Sequence, residues 1–383
     1  MTNSLDESLN HILTGLEDYY DSDFLRNLRL SLLKRIDDER GSFEDLLQAL
    51  EFQFEGSTQS MIHFLKAFNE VPFAERTIFF KHLNRLSVQF ANDNLESIFK
   101  GFNSQFFQNL KLSYDHSDEK LQTSFLLKAF AEASEGTIQG FFKNLEWSYN
   151  TDDSKERFEG VFKALSNAFE SSFMLDLHKS VLKFPEANYK DAFSRGQMMS
   201  KKWALVKMQE YLPKSLGQIY ILGGWYGLLG AFINDSKQFD FESIRSFDID
   251  PDCLKIANSM NNSMFQDEWK FKAETWDAME LEYDYAEWIS KRSDGSDVKL
   301  GGHPDTIINT SCEHFPDFEK WVQKIPSGKK VVLQSNDYFG VDGHVSCCND
   351  LGHFLEKANL KDVLFSGTLP FESYNRFMII GIS

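Results

Sequence analysis

Between Gln218 and Pro251 the chain places a glycine cluster and two acids at the separations of a strand, a turn, a helix and a second strand. An apolar run ending in Ile219-Tyr220-Ile221-Leu222 meets Gly223-Gly224-Trp225-Tyr226-Gly227-Leu228-Leu229-Gly230, and Phe247-Asp248-Ile249-Asp250-Pro251 follows. Glycines let a backbone turn tightly and approach a ligand, and an acid at the tip of the next strand can accept hydrogen bonds from two ribose hydroxyls. The pattern reads as a nucleoside-cofactor site, with Gly223, Gly224, Trp225, Gly227 and Asp248 forming the cradle. Asp250, directly before Pro251, is assigned to capping the helix that starts there. A dinucleotide pyrophosphate needs the order G-x-G-x-x-G. Here the order is G-G-x-x-G-x-x-G with Trp225 inside the turn, which crowds a pyrophosphate and argues against NAD.

A second group lies farther on, in Thr310-Ser311-Cys312-Glu313-His314 and Ser335-Asn336-Asp337-Tyr338, with His344 beyond. An imidazole with an unperturbed pKa near 6.5 takes a proton at neutral pH, so His314 is the first candidate for a general base. Glu313 is the carboxylate alternative, and Tyr338 and His344 are second candidates. A plain cap and a surface histidine are the other reading of Glu313 and His314. Cys312-x-His314 and His344-x-x-Cys347 offer ligand types that zinc takes, but neither pair has the spacing of a common structural finger, and no metal is expected. With 4 cysteines, Cys347 and Cys348 being adjacent, there is no disulfide framework, and the usage suits a reducing cytosol.

The elements that must hold these groups are strands at the intervals of a doubly wound α/β sheet. Residues 269–273 read as a third strand, with Glu274-Thr275-Trp276-Asp277 after it. Asp305 to Asn309 reads as the fourth and Lys330 to Gln334 as the fifth, with Val363 to Ser366 and Arg376 to Ile382 as a final pair. Ligands in open α/β sheets bind outside the carboxyl ends of strands, where both groups fall. If the fourth and fifth strands are neighbours, Glu313-His314 and Asn336-Asp337-Tyr338 lie side by side.

This strand, glycine turn and acid resemble the first motif of the class I S-adenosylmethionine-dependent methyltransferase superfamily, and the resemblance covers about residues 195 to 383. It implies a Rossmann-like sheet closing in a terminal hairpin, S-adenosylmethionine as cofactor, and Asp248 as the ribose-binding acid. It also places an adenine-reading acid at Asp277 with Trp276 as a stacking face, and groups Asn309 with the cofactor residues. An N-cap is the alternative for Asp277. The chain departs from the superfamily just before the turn, where Leu222 replaces the usual acid. Arg195, Gln197 or Lys201, in the helix leading to the first strand, can meet the methionine carboxylate instead, unless that segment is an ordinary linker helix.

The first 190 residues differ in kind. Phenylalanines recur at i, i+3 and i+4, and polar breaks such as Asp115-His116-Ser117-Asp118 and Thr151-Asp152-Asp153-Ser154 separate helices of ordinary length. Asn109-Leu110-Lys111-Leu112-Ser113-Tyr114 matches Asn144-Leu145-Glu146-Trp147-Ser148-Tyr149, and Leu127-Lys128-Ala129-Phe130 matches Phe162-Lys163-Ala164-Leu165, both at a shift of 35. Leu65-Lys66-Ala67-Phe68 and Phe99-Lys100-Gly101-Phe102 look like earlier copies, so a helical-hairpin array is expected. Its phenylalanine stripe is read as core, with a protein partner or self-association as the role left open to the array.

Length and charge bound the rest. At 383 residues and 42% hydrophobic content the chain holds two domains, expected at 1–190 and 191–383. Up to residue 200 there are 31 acids against 21 bases, and beyond it 27 against 19, together the net −18. Neither half is basic, which argues against a polynucleotide partner. The N-terminus is polar and acidic and the longest apolar run is too short for a bilayer, so a cytoplasmic protein is expected. The reading is an enzyme transferring the methyl group of S-adenosylmethionine to a small molecule or peptide. Attack on the aminocarboxypropyl carbon with release of methylthioadenosine is the enzymatic alternative, motivated by the unusual Gly-Gly-Trp-Tyr turn. A non-catalytic helical scaffold with a vestigial cofactor domain is the third.

Overall fold

The computed structural model describes residues 5–37, 39–53, 106, 109–110, 112–113, 116–132, 134, 136–292 and 295–383. They fall into two compact units, Met1–Arg195 and Gly196–Ser383. The short helix Tyr189–Ala192 lies in the first unit, where Phe193 packs against Gly15 so closely that a Cβ there would meet the Phe193 carbonyl.

The described part of the first unit is helical: Leu5–Tyr20, Asp23–Ile36, Ser42–Gln53, Glu119–Glu132, Gly136–Asn150, Ser154–Phe169, Ser172–Lys183 and Tyr189–Ala192. Side-chain caps set several starts, since orphan amides at a helix N-terminus need acceptors. Ser22 accepts from Leu25 N–H, and Asp153 accepts from the amides of Lys155 and Glu156. The phenylalanine stripe goes inward. Phe130, Phe142, Phe158 and Phe162 are wholly buried, and the Phe130 and Phe142 rings stack at 5.4 Å. The helices starting at Glu119 and Gly136 are followed by helices starting at Ser154 and Ser172. The segments Leu65–Phe68 and Phe99–Phe102, with Lys111 and Tyr114, lie outside the described residues.

The second unit opens with the helix Arg195–Tyr211 and is built on one seven-stranded sheet. Its strands are β1 (Ser215–Leu222), β2 (Asp240–Asp248), β3 (Phe271–Thr275), β6 (Thr306–Asn309), β7 (Lys330–Asn336), β8 (Asp362–Pro370) and β9 (Asn375–Ile382). The order is β3-β2-β1-β6-β7-β9-β8. β3, β2, β1, β6 and β7 run parallel, and β9 is antiparallel to both of its neighbours. This is a doubly wound α/β sheet closed by an antiparallel pair, the architecture expected from the sequence. The helices Leu228–Asp235 and Pro251–Met260 link β1 to β2 and β2 to β3. Among the described residues no helix is long and apolar enough to cross a membrane.

Several bounds differ from the expected ones. β3 starts at Phe271 rather than 269 because Glu268 and Trp269 take left-handed backbone angles of 45° and 58°, which end the preceding turn and cannot continue a strand. β7 runs on through Ser335 and Asn336 because β9 pairs with it there, opposite Phe377 and Arg376. Between β3 and β6 lies a separate antiparallel pair, β4 (Ala286–Lys291) with β5 (Asp297–Gly302), which the sequence reading did not foresee. β4 alternates buried and exposed residues and sends Trp288 into the core of the unit, where its ring lies 5.7 Å from that of Phe247.

Register decides where the chemistry lies. Leu222 pairs with both Phe247 and Asn309, Asn309 pairs with Leu333, and Asp248 pairs with Thr275. The glycine turn, Asp248, Trp276-Asp277 and the 310–314 segment therefore leave the sheet at one edge, its carboxyl edge. β7 continues past Leu333 to bring Asn336 to the same edge. The order reverses between β1 and β6, and ligands of such sheets bind at that switch point.

Candidate active site at the carboxyl edge

The turn after β1 is held by close approach. Gly223 has φ +60° and Gly227 φ +74°, and a Cβ on Gly224 would sit 1.9 Å from Ser246 Oγ. Trp225 also has a positive φ, +45°, a conformation that costs a non-glycine residue about 1–2 kcal/mol. Its N–H donates to Asp248 Oδ2 at 2.8 Å, and its ring stacks on Tyr226 at 4.5 Å. The turn thus uses the Asp248 carboxylate as its anchor. Asp250 N–H donates to Asp248 Oδ1 at 3.0 Å. A carboxylate has about four acceptor positions, so two remain on half-buried Asp248. Asp250 caps the next helix, accepting from Asp252 N–H at 2.9 Å.

At the end of β3 the two candidates differ. Trp276 is half-buried with its ring edge-on to Trp288 at 6.3 Å, and its N–H donates to the Asp248 carbonyl at 2.9 Å. Asp277 is exposed and caps the following turn, accepting from Met279 N–H at 2.8 Å through Oδ1.

The segment after β6 runs from the glycine turn to the second group. A Cβ on Gly223 would lie 3.3 Å from Ser311 Cβ, so this segment touches the turn. Buried Asn309 accepts from Ser311 N–H at 2.9 Å, while its Nδ2 has no partner and is a buried donor aimed at no protein atom. Two residues past Ser311, Glu313 is 3% exposed. Its Oε1 accepts from Asn336 Nδ2 at 2.6 Å and faces Arg376 Nη2 at 3.5 Å. Arg376 also donates to the Thr310 carbonyl at 3.0 Å. Glu313 is consequently a paired, buried carboxylate rather than a free base, while its Oε2 has no partner.

The loop after β7 is stitched onto the backbone of this residue. Val345 and Ser346 N–H both donate to the Glu313 carbonyl at 2.9 Å, and Cys348 N–H donates to the Asn336 carbonyl at 2.9 Å. His314 and His344 come together as a result, with their rings edge to face at 4.8 Å. Tyr338 is exposed, stacks on Tyr374 at 5.0 Å, and gives its carbonyl to His344 Nδ1 at 3.0 Å. Asp337 is turned to structure, since both of its oxygens accept from Asn375. Burial, with the Glu313 charge beside it, pushes the Cys312 thiol well above the ordinary range and Cys347 up to about 11.

Polar groups of the helix expected to meet a methionine carboxylate have protein partners. Arg195 is paired with Asp18 at 2.6 Å in the first unit, and Lys201 donates to Gln197 at 2.5 Å. Sequence reasoning missed Arg376 and Asn261. Arg376 looked like the start of a plain terminal strand, yet a lone arginine opening the run Arg376-Phe377-Met378-Ile379-Ile380 was the available signal. Asn261 is buried and donates to the Gly227 carbonyl at 3.1 Å, closing the turn from behind, and nothing in the sequence marked it.

No protein-family model matches this chain, and no curated protein sequence matches it. Solved structures do. The N-methyltransferase NodS from Bradyrhizobium japonicum WM9 matches at 9% identity and TM-score 0.34, over 48% of this chain and 94% of that one. The magnesium protoporphyrin IX methyltransferase ChlM from Synechocystis PCC 6803, with bound SAH, matches at 13% identity and TM-score 0.35, over 57% and 99%. A geranyl diphosphate methyltransferase in complex with SAM matches at 9% identity and TM-score 0.35, over 52% and 92%.

Proposed function

We propose that the unit Gly196–Ser383 binds S-adenosylmethionine at the carboxyl edge of its sheet and transfers the methyl group to a small molecule or peptide. The observation that carries this reading is Asp248, a strand-tip carboxylate fixed by the amides of Trp225 and Asp250 with two acceptor positions left for ribose hydroxyls. The cofactor supplies a methyl group already activated on a sulfonium. The chain's residues must therefore bind, orient and exclude water.

Gly224 and Gly227 let the backbone come close, and the unpartnered Nδ2 of Asn309 offers a donor beside the turn. Trp276 is the face for the adenine ring, and the Asp277 oxygen not used in capping is the acceptor for its amino group. The acceptor molecule belongs beyond Ser311, against Glu313, His314 and His344. His314, exposed at that rim, is the residue assigned to take its proton in this reading.

Calorimetric titration of the full chain with S-adenosylmethionine, S-adenosylhomocysteine and NAD tests the binding. Saturable binding of the first two and not of NAD is expected, and the reverse pattern overturns the reading. Product analysis by mass spectrometry then separates S-adenosylhomocysteine from methylthioadenosine, the mark of aminocarboxypropyl chemistry.

A further inference from the structure

Among the described residues, Glu313, His314 and His344 bring ligand-capable atoms within 4.8 Å of one another. Two features set this trio apart from a chance cluster. Glu313 is 3% exposed, and its Oε2 is a buried acceptor without a partner, although Oε1 is engaged by Asn336 and Arg376. A native fold rarely leaves such an atom orphaned unless something absent from the protein satisfies it.

The second feature is the tautomer of each ring. His314 Nδ1 lies 2.9 Å from the Gly343 carbonyl, and His344 Nδ1 lies 3.0 Å from the Tyr338 carbonyl. A carbonyl only accepts, so each Nδ1 carries a hydrogen, and in the neutral ring each Nε2 keeps its lone pair. Donation of the second ring N–H to a backbone carbonyl is how metal-binding imidazoles are oriented. Here both histidines are held this way by one loop, itself fastened to the Glu313 carbonyl through Val345 and Ser346.

The geometry points to a divalent transition-metal site formed by Glu313 Oε2, His314 Nε2 and His344 Nε2, with open positions for water or an acceptor oxygen. Two imidazoles and one carboxylate select zinc, iron, cobalt or manganese over magnesium, which prefers all-oxygen shells. Three protein ligands leave the coordination incomplete, as catalytic sites do. The neighbouring thiols are engaged elsewhere, Cys312 Sγ donating to the Asn309 carbonyl at 3.4 Å and Cys347 Sγ to Asn336 Oδ1 at 3.3 Å.

The role of the site rests on the proposed methyl transfer. A cation beside the cofactor crevice would hold an acceptor through oxygen and lower the pKa of that oxygen, so its proton leaves to water and the nucleophile is generated in place. His314 serves as a ligand while the cation is bound and as the base of the proposed transfer only in its absence. Arg376, paired with Glu313, keeps the local charge positive with a cation bound, which suits an acceptor that carries or develops negative charge on oxygen.

Cobalt(II) titration of the full-length, metal-stripped protein tests the site by its visible d–d absorption. One ion per chain is expected, with affinity reduced by about 10²-fold or more in His314→Ala and in His344→Ala, beyond the loss from removing only a supporting hydrogen bond. An excess of magnesium should leave the spectrum unchanged. Both histidines lie toward the surface, so these variants should keep the thermal midpoint of the metal-free parent, which circular dichroism checks. Absence of saturable cobalt binding, or equal affinity in parent and both variants, overturns the site. The same samples are titrated with S-adenosylmethionine. Cobalt binding without cofactor binding sinks the methyltransferase reading and leaves the metal site standing, while the reverse does the opposite.

Discussion

Asn336 at the end of β7 and Glu313, twenty-three residues earlier in the turn that follows neighbouring β6, meet through a 2.6 Å hydrogen bond from Nδ2 to Oε1. The amide cannot flip, because Oδ1 is already an acceptor for Tyr338 N–H at 3.0 Å and Cys347 Sγ at 3.3 Å. The bond fixes one face of a buried carboxylate whose charged partner is Arg376. Arg376→Met should therefore cost about 3–5 kcal/mol, the penalty for leaving a buried charge unpaired. Adding Glu313→Gln should recover most of that loss. Urea unfolding of the two variants checks the pair, and additive losses would mean the two residues are not coupled.

Asp248→Ala should weaken S-adenosylmethionine by about 10² to 10⁴, from two lost hydrogen bonds to a charged acceptor at about 1.5–3 kcal/mol each. Because the same carboxylate anchors Trp225 N–H, the variant should also lose some stability. Calorimetry and thermal melting separate the two effects, and unchanged affinity would reduce Asp248 to a turn anchor.

Gly224→Ala should destabilise the second unit by about 1–3 kcal/mol through overpacking, since the new Cβ would lie 1.9 Å from Ser246 Oγ. The double variant with Ser246→Ala removes that oxygen and leaves Ser246 Cβ at 3.3 Å. It should regain much of the loss in denaturant titration, whereas an unrelieved loss would place the strain in the backbone instead.

Burial raises the Glu274 carboxyl above its ordinary 4.5, partly offset by Ser290, Lys272 and Trp288. A folded-state value above the unfolded one means the folded chain holds this proton more tightly. The contribution is intact below the unfolded value and is lost as pH rises through the folded one. Glu274→Gln should accordingly raise Tm at pH 7, where the folded chain otherwise holds a desolvated charge. The gain should vanish near pH 4, below the unfolded value. Thermal scans at both pH values decide it, and a Tm lowered at pH 7 would show that attraction to Lys272 outweighs desolvation.

The parallel core of the sheet was legible because its signals are local. The run Ile219–Leu222, the glycines and Asp248 specify strand, turn and strand tip within a few residues each. The neighbourhood of Glu313 and Asn336 also followed, as a consequence of strand order. What escaped was set by tertiary partners. The β4–β5 pair is short and stands outside the main sheet, held by Ala286 and Trp288 in the core of the unit. Asp277 and Asp337 have the residue type of a site but spend oxygens on backbone amides, a use that depends on turn geometry absent from composition. The same holds for Arg376, whose partner lies 63 residues away.

Trp225 gives the glycine turn an indole of its own. Its ring is half-buried on Tyr226, and its backbone amide is tied to the carboxylate proposed to receive the ribose. Any ligand that draws on Asp248 must alter the surroundings of that chromophore. The site is thereby built as an optical reporter of its own occupancy, with Trp225→Phe as the blank against the other tryptophans.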